Sequence, residues 1–122
     1  MIKVMISQPM AGRTTEQIKK ERQKAIKQLN KYIHEEFTVI DTVIEDHEEK
    51  SDLQCFAESI MFLDKADILV MVPGWESSRG CRLEHDIAKE YGKKIEYILR
   101  SEWEPPEEAP AFEHSWGASM WR

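Results

Sequence analysis

A glutamate that follows a strand, a turn and the start of a helix is the strongest candidate for chemistry in this chain. Residues 68–72 are all apolar, which is typical of a strand buried on both faces. Pro73 and Gly74 end that strand, and after Gly80 apolar residues recur on one helix face at Leu83, Ile87, Ala88 and Tyr91. We therefore expect Glu84 on the first turn of a helix, at the carboxyl edge of a sheet, where open α/β folds bind ligands.

The rest of the chain predicts the elements that position this glutamate. Apolar runs predict further strands over residues 2–6, 37–40 and 95–99. Capping boxes at Thr14 with Gln17 and at Ser51 with Gln54 mark the starts of two helices. We expect the first helix to run to about residue 33 and the second to bury a face that carries Leu53, Phe56, Ala57, Ile60 and Leu63.

The alternation of strands and helices predicts the fold class. It is typical of a three-layer α/β/α, flavodoxin- or Rossmann-like domain with a parallel sheet of about four to five strands. We expect a single domain over residues 1–122, with residues 100–122 as an aromatic C-terminal tail. Because that tail carries Phe112, Trp116 and Trp121, we expect it to pack on its own domain or on a neighbouring subunit.

Composition and charge exclude several classes of protein. Apolar residues make up 41% of the chain and charged residues 33%, with a net charge of −6. That acidity is opposite to the basic face that nucleic-acid binding needs. Every apolar run is far shorter than a membrane span. We therefore expect no nucleic-acid partner, no membrane partner and a cytoplasmic location, with the acidic segment 41–52 as a solvated loop.

No set of residues predicts a metal or a cofactor. Cys55 and Cys81 match neither a zinc spacing nor a redox spacing, so we expect ordinary thiols. Glu84, His85 and Asp86 are consecutive, and consecutive helix residues point about 100° apart and cannot chelate one ion together. We predict no metal site and no cofactor.

Two loops carry a resemblance to a known family. The first, over residues 6–13, follows the first strand, and the second reads Pro73-Gly74-Trp75-Glu76-x-Ser78-x-Gly80-x-x-x-Glu84. With Ala66-Asp67 ahead of the central strand, and Ala88 and Gly92-Lys93 behind it, the sequence resembles the nucleoside 2-deoxyribosyltransferase superfamily. That superfamily includes the deoxynucleoside 5′-monophosphate N-glycosidases. The resemblance covers most of the chain to Leu99 and is closest to a small, phage-associated branch whose hallmark is the second loop.

The resemblance implies chemistry at the anomeric carbon of a nucleoside or nucleotide. Glu84 would attack C1′ of a 2-deoxyribosyl group and displace the base, and a second base or water would then take the sugar from the ester. A 5′-phosphate would be bound by the Ser78 hydroxyl, backbone N–H groups, a helix N-terminus and the guanidinium groups of Arg13 and Arg79. The substrate-binding residues would be Ser7, Gly12, Arg13, Trp75, Ser78, Arg79 and Gly80. Family members complete their sites across subunit interfaces, so we expect a homo-oligomer, a dimer or higher.

Two departures from the family pattern leave an alternative open. Ser59 stands where active members have an aspartate, and Arg82 stands where the monophosphate hydrolases have a glycine. Because cleavage needs a proton for the leaving base, the missing aspartate favours a second hypothesis, a nucleotide-binding sensor or sequestering module without turnover. If these residues have no function beyond stabilising the fold, Glu84 is a stabilising carboxylate near a helix N-terminus, and Ser78 and Gly80 shape a turn and cap a helix. A third hypothesis is an interaction protein that uses its aromatic tail.

Overall fold

The computed structural model describes residues 1–42 and 49–103, which form a parallel sheet of four strands with three helices. The strands are β1 (Ile2–Ser7), β2 (Phe37–Val39), β3 (Ile68–Met71) and β4 (Lys94–Tyr97). The helices are α1 (Thr15–Tyr32), α2 (Asp52–Lys65) and α3 (Arg79–Glu90), and short 3-10 turns lie at Trp75–Ser77 and Arg100–Glu102. This alternation confirms the predicted α/β class and its parallel, Rossmann-like sheet.

The strand order β2-β1-β3-β4 places a change of direction between β1 and β3. From β1 the chain moves outward to β2, then returns past β1 to β3 and continues to β4. Because crossovers between parallel strands are right-handed in nearly all proteins, this reversal puts α1 on one face of the sheet and α2 and α3 on the other. One cluster of buried residues lies on each face of the sheet. The first packs Leu29 of α1 on the strand residues Val4, Ile6 and Val70, and the second packs Leu63 of α2 and Ala88 of α3 on the strand residues Met5 and Leu69.

The helix starts and the central strand follow from local sequence as predicted. Thr14 and Ser51 each accept a hydrogen bond from the backbone of the residue three positions on, and Gln17 and Gln54 return one, which completes both capping boxes. All four residues of β3 are buried, as expected of a strand covered on both faces.

The third helix differs from its prediction in its start and in its buried face. It begins at Arg79, with Ser78 as its N-cap, so Glu84 lies on the second turn and not on the first. Leu83 and Tyr91 of the predicted apolar face are 42% and 80% exposed. Ala88 is buried as predicted, and the other buried residues of α3 are Gly80, Cys81, Glu84 and His85. The prediction was wrong at Leu83 and Tyr91 because it inferred burial from apolar residues alone, whereas here two polar side chains are buried with partners.

The second helix shows the same effect on a smaller scale. Leu53 is 79% exposed, whereas Cys55, Ser59 and Leu63 are the buried residues of α2. Half of the acidic segment 41–52 and most of the aromatic tail lie outside the described residues, which omit 43–48 and 104–122. Among the described residues, no helix is both long and apolar enough to cross a membrane.

Candidate functional site

The carboxylate of Glu84 is the most deeply buried charged group in the described part of the chain, at 0% exposure. The Ser7 hydroxyl donates a hydrogen bond to Oε1 at 2.7 Å, and the Ser59 hydroxyl donates one to Oε2. Ser7 and Ser59 are themselves buried. Each carboxylate oxygen therefore has a hydroxyl donor, which offsets part of the cost of burying a charge.

Three elements bring these side chains together at one edge of the sheet. Ser7 is the last residue of β1 and pairs in register with Met71, the last residue of β3. Because alternate strand residues share a face, Ser7 points to the same face as Met5, toward α2 and α3. The Glu84 side chain extends from α3 to the Ser7 hydroxyl, and the Ser59 hydroxyl contacts Glu84 from α2. The cluster lies where the connections reverse between β1 and β3, which is the position that favours ligand binding in open α/β sheets.

Ser59 is the residue of this cluster that the sequence interpretation did not assign to the site. It stands at the position where the family resemblance expected an aspartate, and the structure places its hydroxyl directly on Glu84. A sequence signal existed, because Cys55, Ser59 and Leu63 recur at intervals of four and form the buried face of α2. A serine between two buried apolar positions of a helix needs a hydrogen-bond partner.

The residues of the second loop that were predicted to bind phosphate serve the start of α3. The Ser78 side chain is the N-cap and accepts a hydrogen bond from the Cys81 backbone N–H at 3.4 Å. Gly80 is buried in the first turn of α3. Arg79 forms an ion pair with Asp52 of α2 at 3.0 Å between partly exposed side chains. The loop therefore has the structural role that the alternative interpretation gave it, and Arg79 joins α3 to α2.

The residues of the first loop are joined to α1. Gly12 has a φ of 77°, in the left-handed region that favours glycine. Arg13 donates from Nε to Oε2 of Glu21 at 2.8 Å, and Glu21 is 4% exposed. Ser7 and Glu84 thus meet directly, whereas Arg13 and Arg79 pair with acidic residues on two different helices.

A buried arginine that sequence analysis did not single out links the segments after β1 and β2. Arg22 of α1 donates from Nε to the side-chain oxygen of Gln8 at 3.0 Å and from Nη2 to the hydroxyl of Thr42 at 2.8 Å. Gln8 in turn donates to the carbonyl of Ile18 at 3.1 Å. Gln8, Arg22 and Thr42 are all buried. This network fixes the chain just after Ser7, and so it supports the geometry around Glu84.

Three aromatic rings pack together at the same edge, on the β4 side of α3. Trp75 stacks on His85 with ring centroids 4.3 Å apart, and Tyr97 lies 5.6 Å from His85 and 6.0 Å from Trp75. The ring nitrogen Nε2 of His85 lies 2.6 Å from the Tyr97 hydroxyl oxygen, and Nδ1 lies 3.2 Å from Oδ1 of Asp86. Trp75, one of the expected substrate-binding residues, is stacked on His85 in the structure.

The arrangement offers a carboxylate, hydroxyls and an imidazole, which are groups for nucleophilic and acid–base chemistry. In the described ranges, no three histidine, cysteine, aspartate or glutamate side chains gather closely enough to bind a metal ion. His85 and Tyr97 were missed as site residues because their proximity depends on the register of β4. That register sets Tyr97 beside Met71, so the tyrosine emerges at the same edge as Ser7.

Comparison with known proteins gives a family but no described relative. No curated protein and no solved structure matches the chain. A family described as a domain of unknown function, DUF4406, matches residues 2–97, which include all four strands, all three helices and the Ser7–Ser59–Glu84 cluster. The chain therefore belongs to the DUF4406 family.

Proposed function

We propose that this protein cleaves or transfers the N-glycosidic bond of 2-deoxynucleosides or their 5′-monophosphates, as the resemblance to the nucleoside 2-deoxyribosyltransferase superfamily implies. In this proposal Glu84 is the nucleophile and forms a covalent ester at C1′. The observation that carries the proposal is the position of the Glu84 carboxylate, held by two hydroxyls at the edge where the chain leaves β1 and β3 in opposite directions.

The chemistry of the cluster supports this role. Two donors on one carboxylate limit its rotation, which favours attack along one direction. Ser7 and Ser59 each donate one hydrogen bond to the carboxylate, and an ionised carboxylate is the group with which glutamate acts as a nucleophile toward carbon. Because Glu84 is fully buried, a sugar reaches it only after neighbouring side chains move apart. A site that closes in this way excludes water, and exclusion of water favours transfer to a second base over hydrolysis.

The same burial favours a second candidate function, nucleotide binding without turnover. Ser59 replaces the aspartate of active family members, and it occupies one oxygen of Glu84. In this case the carboxylate stabilises the fold at the edge of a binding crevice, and a bound nucleotide does not react. The two functions differ in whether base is released.

A substrate panel separates them. Purified protein is incubated with 2-deoxynucleosides and their 5′-monophosphates, with and without an acceptor base, and free and exchanged bases are quantified by chromatography. We expect base release in wild type, a loss of at least about 10³-fold in Glu84→Gln, and a glycosyl adduct on Glu84 by mass spectrometry. Glu90→Gln, an exposed glutamate of the same helix, is the matched control and keeps full activity.

The opposite outcome supports the binding module. If calorimetry detects nucleotide binding that Glu84→Gln leaves unchanged, and no base is released from any substrate, then the enzymatic proposal is wrong. Binding of neither nucleosides nor nucleotides rejects both functions.

An oligomer of two or more copies is part of the proposal, on the basis of Phe112, Trp116 and Trp121 in the C-terminal sequence. Sedimentation velocity of the full chain tests it. A monomer at concentrations of tens of micromolar and above contradicts this part of the proposal.

A further inference from the structure

The hydrogen-bonded chain Asp86–His85–Tyr97 lies directly beside the Glu84 cluster and has no role in the function proposed above. We propose that this chain is the acid–base relay of the site, with Tyr97 as the residue that protonates the leaving base. The inference rests on the proposed function and supplies the proton donor that the serine at position 59 cannot supply.

The placement of Tyr97 follows from the register of the sheet. Ser7 pairs with Met71, and Met71 pairs with Tyr97, so the three residues form one row across the carboxyl edge. Neighbouring strands lie about 4.8 Å apart, so the backbones of Ser7 and Tyr97, at the two ends of this row, are roughly 10 Å from each other. The Ser7 hydroxyl contacts Glu84 of α3, and the Tyr97 hydroxyl contacts His85, which follows Glu84 in the same helix. The row therefore holds the nucleophile at one end and the proposed acid at the other, on the same face of the sheet.

The contacts of His85 suit a proton relay. Its Nε2 lies 2.6 Å from the Tyr97 oxygen and its Nδ1 lies 3.2 Å from an Asp86 oxygen, so an imidazolium donates to both. The third group on the ring is the uncharged Trp75, stacked at 4.3 Å. Glu84 and Asp86 are the charged neighbours of His85 along α3, and the next charged positions are Arg82 and Lys89, about one turn to either side. Arg82 donates to the Glu76 carbonyl at 3.0 Å. Tyr97 is 42% exposed, so part of this residue is open to a ligand at the edge.

The first half-reaction forms the glycosyl ester on Glu84 and releases the base. A bond forms between a Glu84 oxygen and C1′, the bond between C1′ and the base nitrogen breaks, and its electron pair stays on the base. The Tyr97 O–H proton passes to the base, and Nε2–H of the His85 imidazolium returns a proton to the tyrosine oxygen. His85 is then neutral, with Nδ1–H still donated to Asp86.

The second half-reaction restores the relay. Water attacks C1′, the ester bond to Glu84 breaks, and one water proton passes through the Tyr97 hydroxyl to Nε2 of His85. When a second base takes the place of water, the proton that its nitrogen loses follows the same route. Glu84 leaves as a carboxylate and His85 as an imidazolium, so no outside reactant is required.

The test compares leaving groups that need a proton with one that does not. Tyr97→Phe keeps the ring and removes the hydroxyl, and Tyr91→Phe, an exposed tyrosine of the same region, is the matched control. With 2-deoxynucleosides we expect Tyr97→Phe to lower kcat by about 10²–10⁴-fold, the usual contribution of a general acid. With 4-nitrophenyl 2-deoxyriboside, whose leaving group departs as a stable anion, we expect a change below about threefold. His85→Gln should follow the same pattern, with a large loss on 2-deoxynucleosides and little change on the 4-nitrophenyl substrate.

Each outcome decides the matter. Equal loss on both substrates in Tyr97→Phe indicates a structural role and overturns the relay, and so does full activity of Tyr97→Phe on nucleosides. In either case wild type and Glu84→Gln still report on the proposed function separately, because Glu84→Gln must be inactive on both substrates. A wild type that cleaves neither substrate overturns the proposed function and the relay together.

Discussion

The contact between Ser59 and Glu84 makes a quantitative prediction about stability. Ser59→Ala removes the donor on Oε2 of a carboxylate that is fully buried, and leaves Ser7 on Oε1. A hydrogen bond to a charged group contributes about 1.5–3 kcal/mol, and Ser59→Ala removes that contribution. We therefore expect the free energy of unfolding to fall by about 1.5–3 kcal/mol. In a domain of this size that corresponds to a fall in Tm of roughly 5–15 °C.

The assay is urea unfolding followed by circular dichroism, with a double-mutant cycle. Ser77→Ala is the matched control, because Ser77 is exposed, and we expect a change within about 0.5 kcal/mol. In a Glu84→Met background the Ser59 hydroxyl no longer has the carboxylate as its acceptor, so Ser59→Ala should cost less than about 0.5 kcal/mol. The coupling energy is then about 1–3 kcal/mol. The reasoning is refuted if Ser59→Ala costs the same in both backgrounds.

Three further predictions test other parts of the structure. Arg22→Met should lower the free energy of unfolding by about 2–4 kcal/mol, because Gln8 and Thr42 lose a buried donor, whereas exposed Lys20→Met should stay within about 0.5 kcal/mol in the same urea titration. Gly92→Ala should lower the free energy of unfolding by about 1 kcal/mol through backbone strain alone, since Gly92 has a φ of 74° and a Cβ there meets nothing within 4 Å. Gly92→Asn should lower it by less, because asparagine tolerates this conformation better than alanine. Equal stability of wild type and both variants would contradict this. Burial, and then the charge of Glu58, raise the pKa of the Cys55 thiol above its ordinary 9.0. As pH rises above about 9, the unfolded chain therefore loses the thiol proton before the folded protein does, and the free energy of unfolding should fall. Cys55→Ala should make that fall shallower, and a pH profile identical to wild type would contradict the reasoning.

Local sequence was sufficient for the order of strands and helices and for the place of Glu84 near the carboxyl edge of the sheet. The capping boxes depend on residues three positions apart, and the buried strand depends on one apolar run, so both are visible without the rest of the chain. The position of Glu84 at the carboxyl edge follows from the strand–turn–helix order alone. These features were predicted correctly because the interactions that fix them are short-range.

The buried faces of α2 and α3 were predicted less well. Apolar periodicity selected Leu53, Leu83 and Tyr91, which are exposed, and passed over Ser59 and His85, which are buried. A polar residue is buried where another element supplies its hydrogen-bond partner, and that partner is distant in sequence. Ser59 and Glu84 are 25 residues apart, and Ser7 and Glu84 are 77 apart. No local pattern encodes such a pairing.

By itself, then, the sequence determined the order of strands and helices, their parallel arrangement and a glutamate at the carboxyl edge of the sheet. Only the tertiary structure decided what surrounds that glutamate. The register of β1 on β3 delivers Ser7, the packing of α2 delivers Ser59, and the register of β4 delivers Tyr97 to His85. The physical reason is that burying a carboxylate or an imidazole is stable only when donors and acceptors from several elements meet it at hydrogen-bond distance.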